Sequence, residues 1–357
     1  MKNTFMPRTI KLIDTTLRDG AQAPGVTFDR NAKLAIAHAL VELGVDELEA
    51  GTPVMGPQEE SDLRDLVNQG FSCRISAWCR AHREDLAAAK RSGVTDVHIS
   101  LPVSDIQLAA LNKNRAWVLD QLYELLPIAL DQFERVSIGA QDATRAEITW
   151  LTTFADTAVR LGAHRLRIAD TVGISRPATI AGLIQHLRMT IPELALEFHG
   201  HNDLGMATAN ALSAAETGAD AISVTVNGLG ERAGNTALEQ IVMALNPHSD
   251  LACSIDTRAL LTLCQMVSFA SERPIAPDRP IVGEMAFSHE SGIHCHALIK
   301  DPHTYEPFDP QQIGRANRRF VLGSHSGSTG IRHLLEQAGI CASPCQVKTL
   351  HTLLKGS

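Results

Sequence analysis

His199 and His201 stand two residues apart, with Asn202 and Asp203 directly behind them, at the end of the run Ala195-Leu196-Glu197-Phe198. Side chains alternate faces along a β-strand, so residues two apart point the same way. Two imidazoles on one face of a strand end form half the shell of a divalent metal. A carboxylate to extend that shell stands far upstream. Asp19, in Asp14-Thr15-Thr16-Leu17-Arg18-Asp19-Gly20, follows another strand-like run, Thr9–Ile13. An amide oxygen is offered by Asn235, in Gly230-Glu231-Arg232-Ala233-Gly234-Asn235. Asp19, His199, His201 and Asn235 are therefore the candidate ligands. The set suits Mn2+, Mg2+ or Zn2+, with positions left for water or substrate. Glu49 ends a further strand, from which it can pair with and orient Arg18 beside Asp19.

An architecture must bring these distant segments together. Strand-like and helix-like patterns alternate along the chain with a regular beat. The strands read as Thr9–Leu17, Glu47–Thr52, Cys73–Cys79, Asp96–Pro102, Arg135–Ala143, His164–Thr171, Ala195–Asp203 and Ala221–Gly230. Helical stripes lie between them: Ile180, Leu183, Ile184 and Leu187 follow the spacing of one helix face, as do Val118, Leu122, Leu125 and Ala129. Thr144 with Glu147 reads as a capping box opening a further helix. Eight strand–helix repeats predict an α/β fold, a (β/α)8 TIM barrel over residues 1–247. No glycine-rich dinucleotide fingerprint supports the open-sheet alternative. In such a barrel strands 7, 8 and 1 are neighbours, and functional groups sit at the C-terminal strand ends. Residues 248–357 break the rhythm and predict a small, mostly helical, loop-rich C-terminal subdomain, with a long loop stretch from Pro274 to Gly327.

Bulk properties exclude several classes. The 357 residues carry a formal charge of −8, and no Lys/Arg run stands out, which argues against nucleic acid or an anionic membrane as partner. No apolar run is long enough for a membrane span, and the first residues lack a signal-peptide pattern. Seven cysteines form no disulfide framework and fit reduced thiols in a cytoplasmic protein.

Four separated motifs, taken in order, resemble a known group: Asp14–Gly20 with Gln22, Glu49 in Leu-Glu-Ala-Gly, His199–Asp203, and Gly230–Asn235. They look like the metal-dependent isopropylmalate, homocitrate and citramalate synthases, whose more distant relatives include 3-hydroxy-3-methylglutaryl-CoA lyase. Within that family, Gln22–Val26, Ala77–Ala81 and Leu204–Asn210 are most similar to homocitrate synthases of the nitrogen-fixation type, which supply the nitrogenase iron–molybdenum cofactor. The resemblance implies a Claisen condensation of acetyl-CoA with a 2-oxo acid, here 2-oxoglutarate, followed by thioester hydrolysis. It implies catalytic roles for Arg18, Glu49, His294 and Tyr305. Substrate contacts would come from Arg18, Gln22, Arg145 and Thr171, with Arg145 on the distal carboxylate of 2-oxoglutarate. His294 and Tyr305, in the tail, match a segment that enters the neighbouring subunit's barrel, so a homodimer is expected. Three departures stand out: Ala21 where homocitrate synthases usually carry Glu, Ser324 where Lys commonly precedes His325-Ser326-Gly327, and no counterpart, between strand 4 and helix 4, to a histidine that lysine-pathway homocitrate synthases place on 2-oxoglutarate. They leave 2-isopropylmalate or citramalate synthesis as the alternative. Acyl-CoA cleavage or a metal-binding pseudoenzyme is the more remote reading.

Overall fold

The computed structural model describes residues 7–245 and 250–355. Eight parallel strands close into a barrel: β1 (Lys11–Asp14), β2 (Glu47–Glu49), β3 (Arg74–Arg80), β4 (Asp96–Pro102), β5 (Arg135–Gln141), β6 (Arg165–Asp170), β7 (Ala195–Gly200) and β8 (Ala221–Val224). Closure runs through β1 and β8, with Lys11 opposite Ala221 and Asp14 opposite Val224. The eight expected strands are all present. β1 ends earlier than its apolar run suggests: Asp14 accepts the backbone N–H of Thr16 and turns the chain. Among the described residues, nine α-helices follow the strands in sequence: α1 (Arg30–Leu43), α2 (Pro57–Val67), α3 (Arg83–Ser92), α4 (Asp105–Ala110), α5 (Arg115–Gln132), α6 (Ile148–Arg160), α7 (Pro177–Thr190), α8 (Ala207–Thr217) and α9 (Leu238–Leu245).

Alternation along the strands sorts the barrel into two environments. Leu48, Ala77, Ile99, Ile138, Ile168, Phe198 and Ile222 occupy one parity and are buried against the helices. In α1, Ile36, Ala37, Leu40 and Leu43 form the facing stripe, and Asp29 caps the helix by accepting from Ala32. Each buried Leu, Ile or Phe among them stabilises by about 1.5–3 kcal/mol. The other parity points into the barrel and is largely polar. Glu47 on β2 binds Arg165 on β6, across the barrel, at 2.9 Å through both carboxylate oxygens. Layers of branched aliphatics usually fill this space; here charges do. Gly139 makes room for one of them, since a Cβ there would lie 2.5 Å from Nε2 of the buried His98.

One helix start differs from expectation. Glu147 is the N-cap of α6, with no side-chain capping bond, and its carboxylate meets Arg115 at 2.8 Å. Thr144 donates instead to Asp170 at 2.8 Å. The capping box does not form because Thr144 lies in a separate one-turn helix, Ala143–Arg145.

The chain divides into two compact units: residues up to Asp256 with Met266–Arg273, and Thr257–Gln265 with Pro274 onward. The boundary expected at residues 247–248 lies outside the described residues. A helix α10 (Leu260–Ala270) spans the division. The second unit contains α11 (Gly292–Lys300), α12 (Ser328–Gln337) and α13 (Pro344–Lys355). The stretch Pro274–Gly327 is thus not all loop. Cys295 and Leu298, three apart, are the buried positions of α11. Among the described residues, no helix is long and apolar enough to cross a membrane.

Candidate active site

Asp19, His199 and His201 come together at the C-terminal rim of β1 and β7. One ligand atom from each lies within 4.8 Å of the others, and all three residues are buried. Asp19 Oδ2 is 3.0 Å from His199 Nε2 and 3.3 Å from an Arg18 Nη. The backbone N–H of Asp19 donates to Thr15 Oγ1 at 3.2 Å, which holds the carboxylate over the barrel mouth. His201 pairs with Asn235 in an isolated antiparallel bridge. The tight turn before Asn235 requires Gly234, whose φ is +86° and whose Cβ would fall 1.9 Å from the Gly228 carbonyl oxygen.

Three buried atoms in this cluster have no hydrogen-bond partner: Nδ1 of His199, Nδ1 of His201 and Oδ1 of Asn235. An unsatisfied buried polar atom costs about 1–3 kcal/mol. Asn235 Nδ2 donates to the Leu229 carbonyl at 3.0 Å, so the amide oxygen is the end left over. Nitrogen, carboxylate and amide donors with unspent lone pairs fit a divalent cation of borderline hardness. Electrostatics prepare the ligands. Burial opposes ionisation of Asp19, but the Arg18 guanidinium and then His199 hold its carboxyl well below the usual carboxylate range. Burial, reinforced by His199, lowers His201 to about 4 and keeps its lone pair available at neutral pH.

Arg18 lies between two carboxylates. Its Nε donates to Glu49 Oε1 at 2.7 Å and its Nη2 approaches the same oxygen at 2.5 Å. The Trp78 ring stacks 5.7 Å from the guanidinium carbon. Beyond Arg18 opens a cavity of about 500 Å3, lined by Ala21, Gln22, Thr52, Met55 and Trp78 among others. Gln22 ends the one-turn helix Gly20–Gln22 and faces this cavity.

Arg145 and Thr171 sit at the ends of β5 and β6 and are joined through Asp142. Arg145 Nε meets both Asp142 oxygens at 2.8 and 2.9 Å, and its Nη2 meets one at 2.7 Å. Asp142 adopts a left-handed backbone with φ of 61° and donates its N–H to Thr171 Oγ1 at 2.8 Å. Arg145 is therefore an ion-paired side chain, only 26% exposed, rather than a solvated helix-start arginine. The Thr171 oxygen accepts from Asp142, so its hydroxyl proton remains available to a substrate.

His294 and Tyr305 lie in the second unit with their rings 4.0 Å apart and inclined by 31°. Both are exposed. In His294-Cys295-His296 the residues lie on a helix, so the two histidines point to different sides. Cys295 is buried, and His296 bonds Thr329 at 3.2 Å.

Four residues to which the sequence assigns no role shape the site: Asp142, Trp78, Arg167 and Glu197. Arg165 and Arg167 alternate with apolar residues on β6, as Glu197 does on β7. That alternation of charged with aliphatic residues was the available signal of a polar barrel interior.

The HMGL-like family model matches residues 9–267, and the homocitrate synthase post-HMGL domain-like model matches residues 281–357. A homocitrate synthase of Frankia alni is 43% identical, covering 92% of this chain and 94% of that protein. A 2-isopropylmalate synthase of Caldanaerobacter subterraneus is 42% identical, covering 93% of this chain and 86% of that protein. Among solved structures, the HMG-CoA lyase of Bacillus subtilis superposes with a TM-score of 0.66 at 19% identity, over 76% of this chain and 96% of the lyase. That likeness is one of fold.

Proposed function

The chain belongs to the HMGL-like family, and on that footing we propose that it is a homocitrate synthase. It condenses acetyl-CoA with 2-oxoglutarate and hydrolyses the thioester to give homocitrate and CoA. Asp19, His199, His201 and Asn235 would hold a divalent cation (Mn2+, Mg2+ or Zn2+), which would supply Lewis-acid polarisation of the keto carbonyl. The observation that carries the reading is the orphaned buried donor set beside a buried arginine.

The chain's own residues then divide the work. Arg18 stabilises the alkoxide that forms as the acetyl methyl carbon bonds to the keto carbon. Glu49 anchors that guanidinium from behind. Thr171 donates its hydroxyl to the C1 carboxylate, and Gln22 contacts substrate from the cavity beyond Arg18. Arg145, with Nε and one Nη spent on Asp142, offers its other Nη to the distal carboxylate of 2-oxoglutarate. Removal of a methyl proton from acetyl-CoA falls to His294 of the partner subunit, with Tyr305 against it, in a homodimer. Homocitrate of this origin serves nitrogenase cofactor assembly.

One observation favours a second oxo acid. Ala21, Met55 and Trp78 give the cavity an apolar wall, suited to the branched end of 2-oxoisovalerate, and a 2-isopropylmalate synthase is nearly as similar as the homocitrate synthase. Thiol release from acetyl-CoA, measured with 2-oxoglutarate, 2-oxoisovalerate and pyruvate, tests the choice. A clear preference for either of the last two overturns the homocitrate assignment and leaves the condensation standing.

A further inference from the structure

The charged layer inside the barrel contains more than the site above uses. Arg167, on β6, is 3% exposed and spans the interior between two strands that carry site residues. Its Nη2 makes an ion contact with Glu49 Oε2 at 2.6 Å, at an angle short of a hydrogen bond. Its Nε donates to Glu197 Oε1, also at 2.6 Å. Glu197 lies two residues before His199 on β7, so both face inward. Arg165 holds the other oxygen of Glu197 at 2.6 Å, and the Ser223 hydroxyl bonds the first. Arg165 in turn is fixed to Glu47.

We propose that Arg167 is a positioning residue of the condensation: it grips Glu49 from the barrel interior, and Glu49 then sets where the Arg18 guanidinium lies relative to Asp19. The inference rests on the role assigned to Arg18 above.

Geometry gives the reason. Glu49 shares its two oxygens between two cations, one for Arg18 and one for Arg167. Arg18 is itself pulled between Glu49 and Asp19, 3.3 Å away on the other side. Without Arg167, Glu49 is free to rotate both oxygens onto Arg18 and draw the guanidinium inward, away from the metal ligands. Stability does not account for the arrangement. Filling a barrel with aliphatic side chains is at least as stabilising as filling it with ion pairs, whose desolvation consumes most of their attraction. What the pairs provide is a fixed frame, tied through Glu197 to the strand that carries His199. An arginine fork meets two carboxylates in fixed directions, which a lysine ammonium cannot reproduce.

The test separates the fork from the charge. Arg167→Lys keeps the positive charge. Arg167→Met/Glu197→Gln removes one charge of each sign, so the net buried charge is unchanged, and serves should the first variant fail to fold. Each is assayed for bound metal, thermal midpoint, kcat, and KM for the oxo acid that best supports thiol release. With metal content and midpoint retained, kcat should fall about 10- to 100-fold, as for residues that orient a catalytic group through one contact. KM should stay within about threefold. In a Glu49→Gln background, Arg167→Lys should cost little more, because the route through Glu49 is already broken. Wild-type kcat in Arg167→Lys overturns the proposal. So does loss of metal, a rise in KM that matches the fall in kcat, or additive losses with Glu49→Gln. Arg18→Ala is the reference variant. If it retains activity, the role assigned to Arg18 fails; if it is inactive while Arg167→Lys is fully active, only the positioning role fails.

Discussion

His199 and His201 are competent ligands because each keeps a buried nitrogen without a partner, while Asp19 is held ionised against its own burial. Replacing both histidines by alanine removes two of four donors. Metal analysis of His199→Ala/His201→Ala should therefore show bound cation falling from one per chain to near none; unchanged stoichiometry would rule out this centre. In the proposed function, substrate choice is assigned to a different side chain. If Arg145 meets the distal carboxylate, losing that charged partner costs on the order of 2–4 kcal/mol, or roughly 30- to 1000-fold in kcat/KM. Arg145→Ala should erase most of the preference for 2-oxoglutarate over 2-oxoisovalerate and leave metal content intact. The structure adds a condition. Asp142 already neutralises part of Arg145, so Asp142→Asn should tighten 2-oxoglutarate binding, which calorimetry can read directly; weaker binding would count against Arg145 as the reader of that carboxylate.

The elements that carry these residues were unequally legible. The eight barrel strands declare themselves through apolar runs at even spacing, and the site motifs fall at their ends. What the runs hide is the interior network, in which Glu47 meets Arg165 and Glu49 meets Arg167 across the barrel, while Glu197 pairs with both arginines from the neighbouring strand. Such pairs join different strands, and periodicity along one strand says nothing about a partner on another. The helix Gly292–Lys300 was masked by its glycine, its histidines and the prolines around it, which read as loop. Asp142 was missed because its role depends on a left-handed backbone that no local pattern announces. Two elements yield tests. Gly139 on β5 clears space for His98, so Gly139→Ala should destabilise the barrel by about 1–3 kcal/mol in denaturant unfolding. Asp14, at the end of β1, is pushed by burial up to about 7 despite two bonds from Thr16. Between about pH 4 and 7 the folded chain keeps a proton that an unfolded aspartate has released. Its contribution is thus fully present below pH 4 and is lost as pH rises through 7. Asp19 and Glu49, held below their usual range, act in the opposite sense and only at lower pH. Asp14→Asn should remove a decline on the order of a few kcal/mol between pH 5 and 7.5, and a parallel wild-type and variant profile would disprove the shift.

At the scale of the whole molecule, the chain is built as two compact units with different contents. The barrel holds the proposed metal ligands, Arg18 and the side chains assigned to the substrate carboxylates, but the histidine and tyrosine assigned to proton transfer lie in the second unit. Within that unit, His294 and Tyr305 stack on one another at an exposed surface, which is unusual for a pair left to solvent alone. An exposed aromatic pair of this kind suits docking against another surface. In a two-fold dimer each second unit can complete the barrel of its neighbour, and one active site then draws on both chains. That arrangement makes a prediction no single-chain site would satisfy. His294→Ala and Arg18→Ala homodimers should each be inactive. After subunit exchange, a hybrid dimer combines one chain with an intact barrel and one with an intact His294, so one of its two sites is whole. Random mixing makes half of the dimers hybrids, and activity should recover to about a quarter of wild type. Failure to recover, with exchange verified by differently tagged chains, would place His294 in the same site as its own Arg18 or outside catalysis altogether.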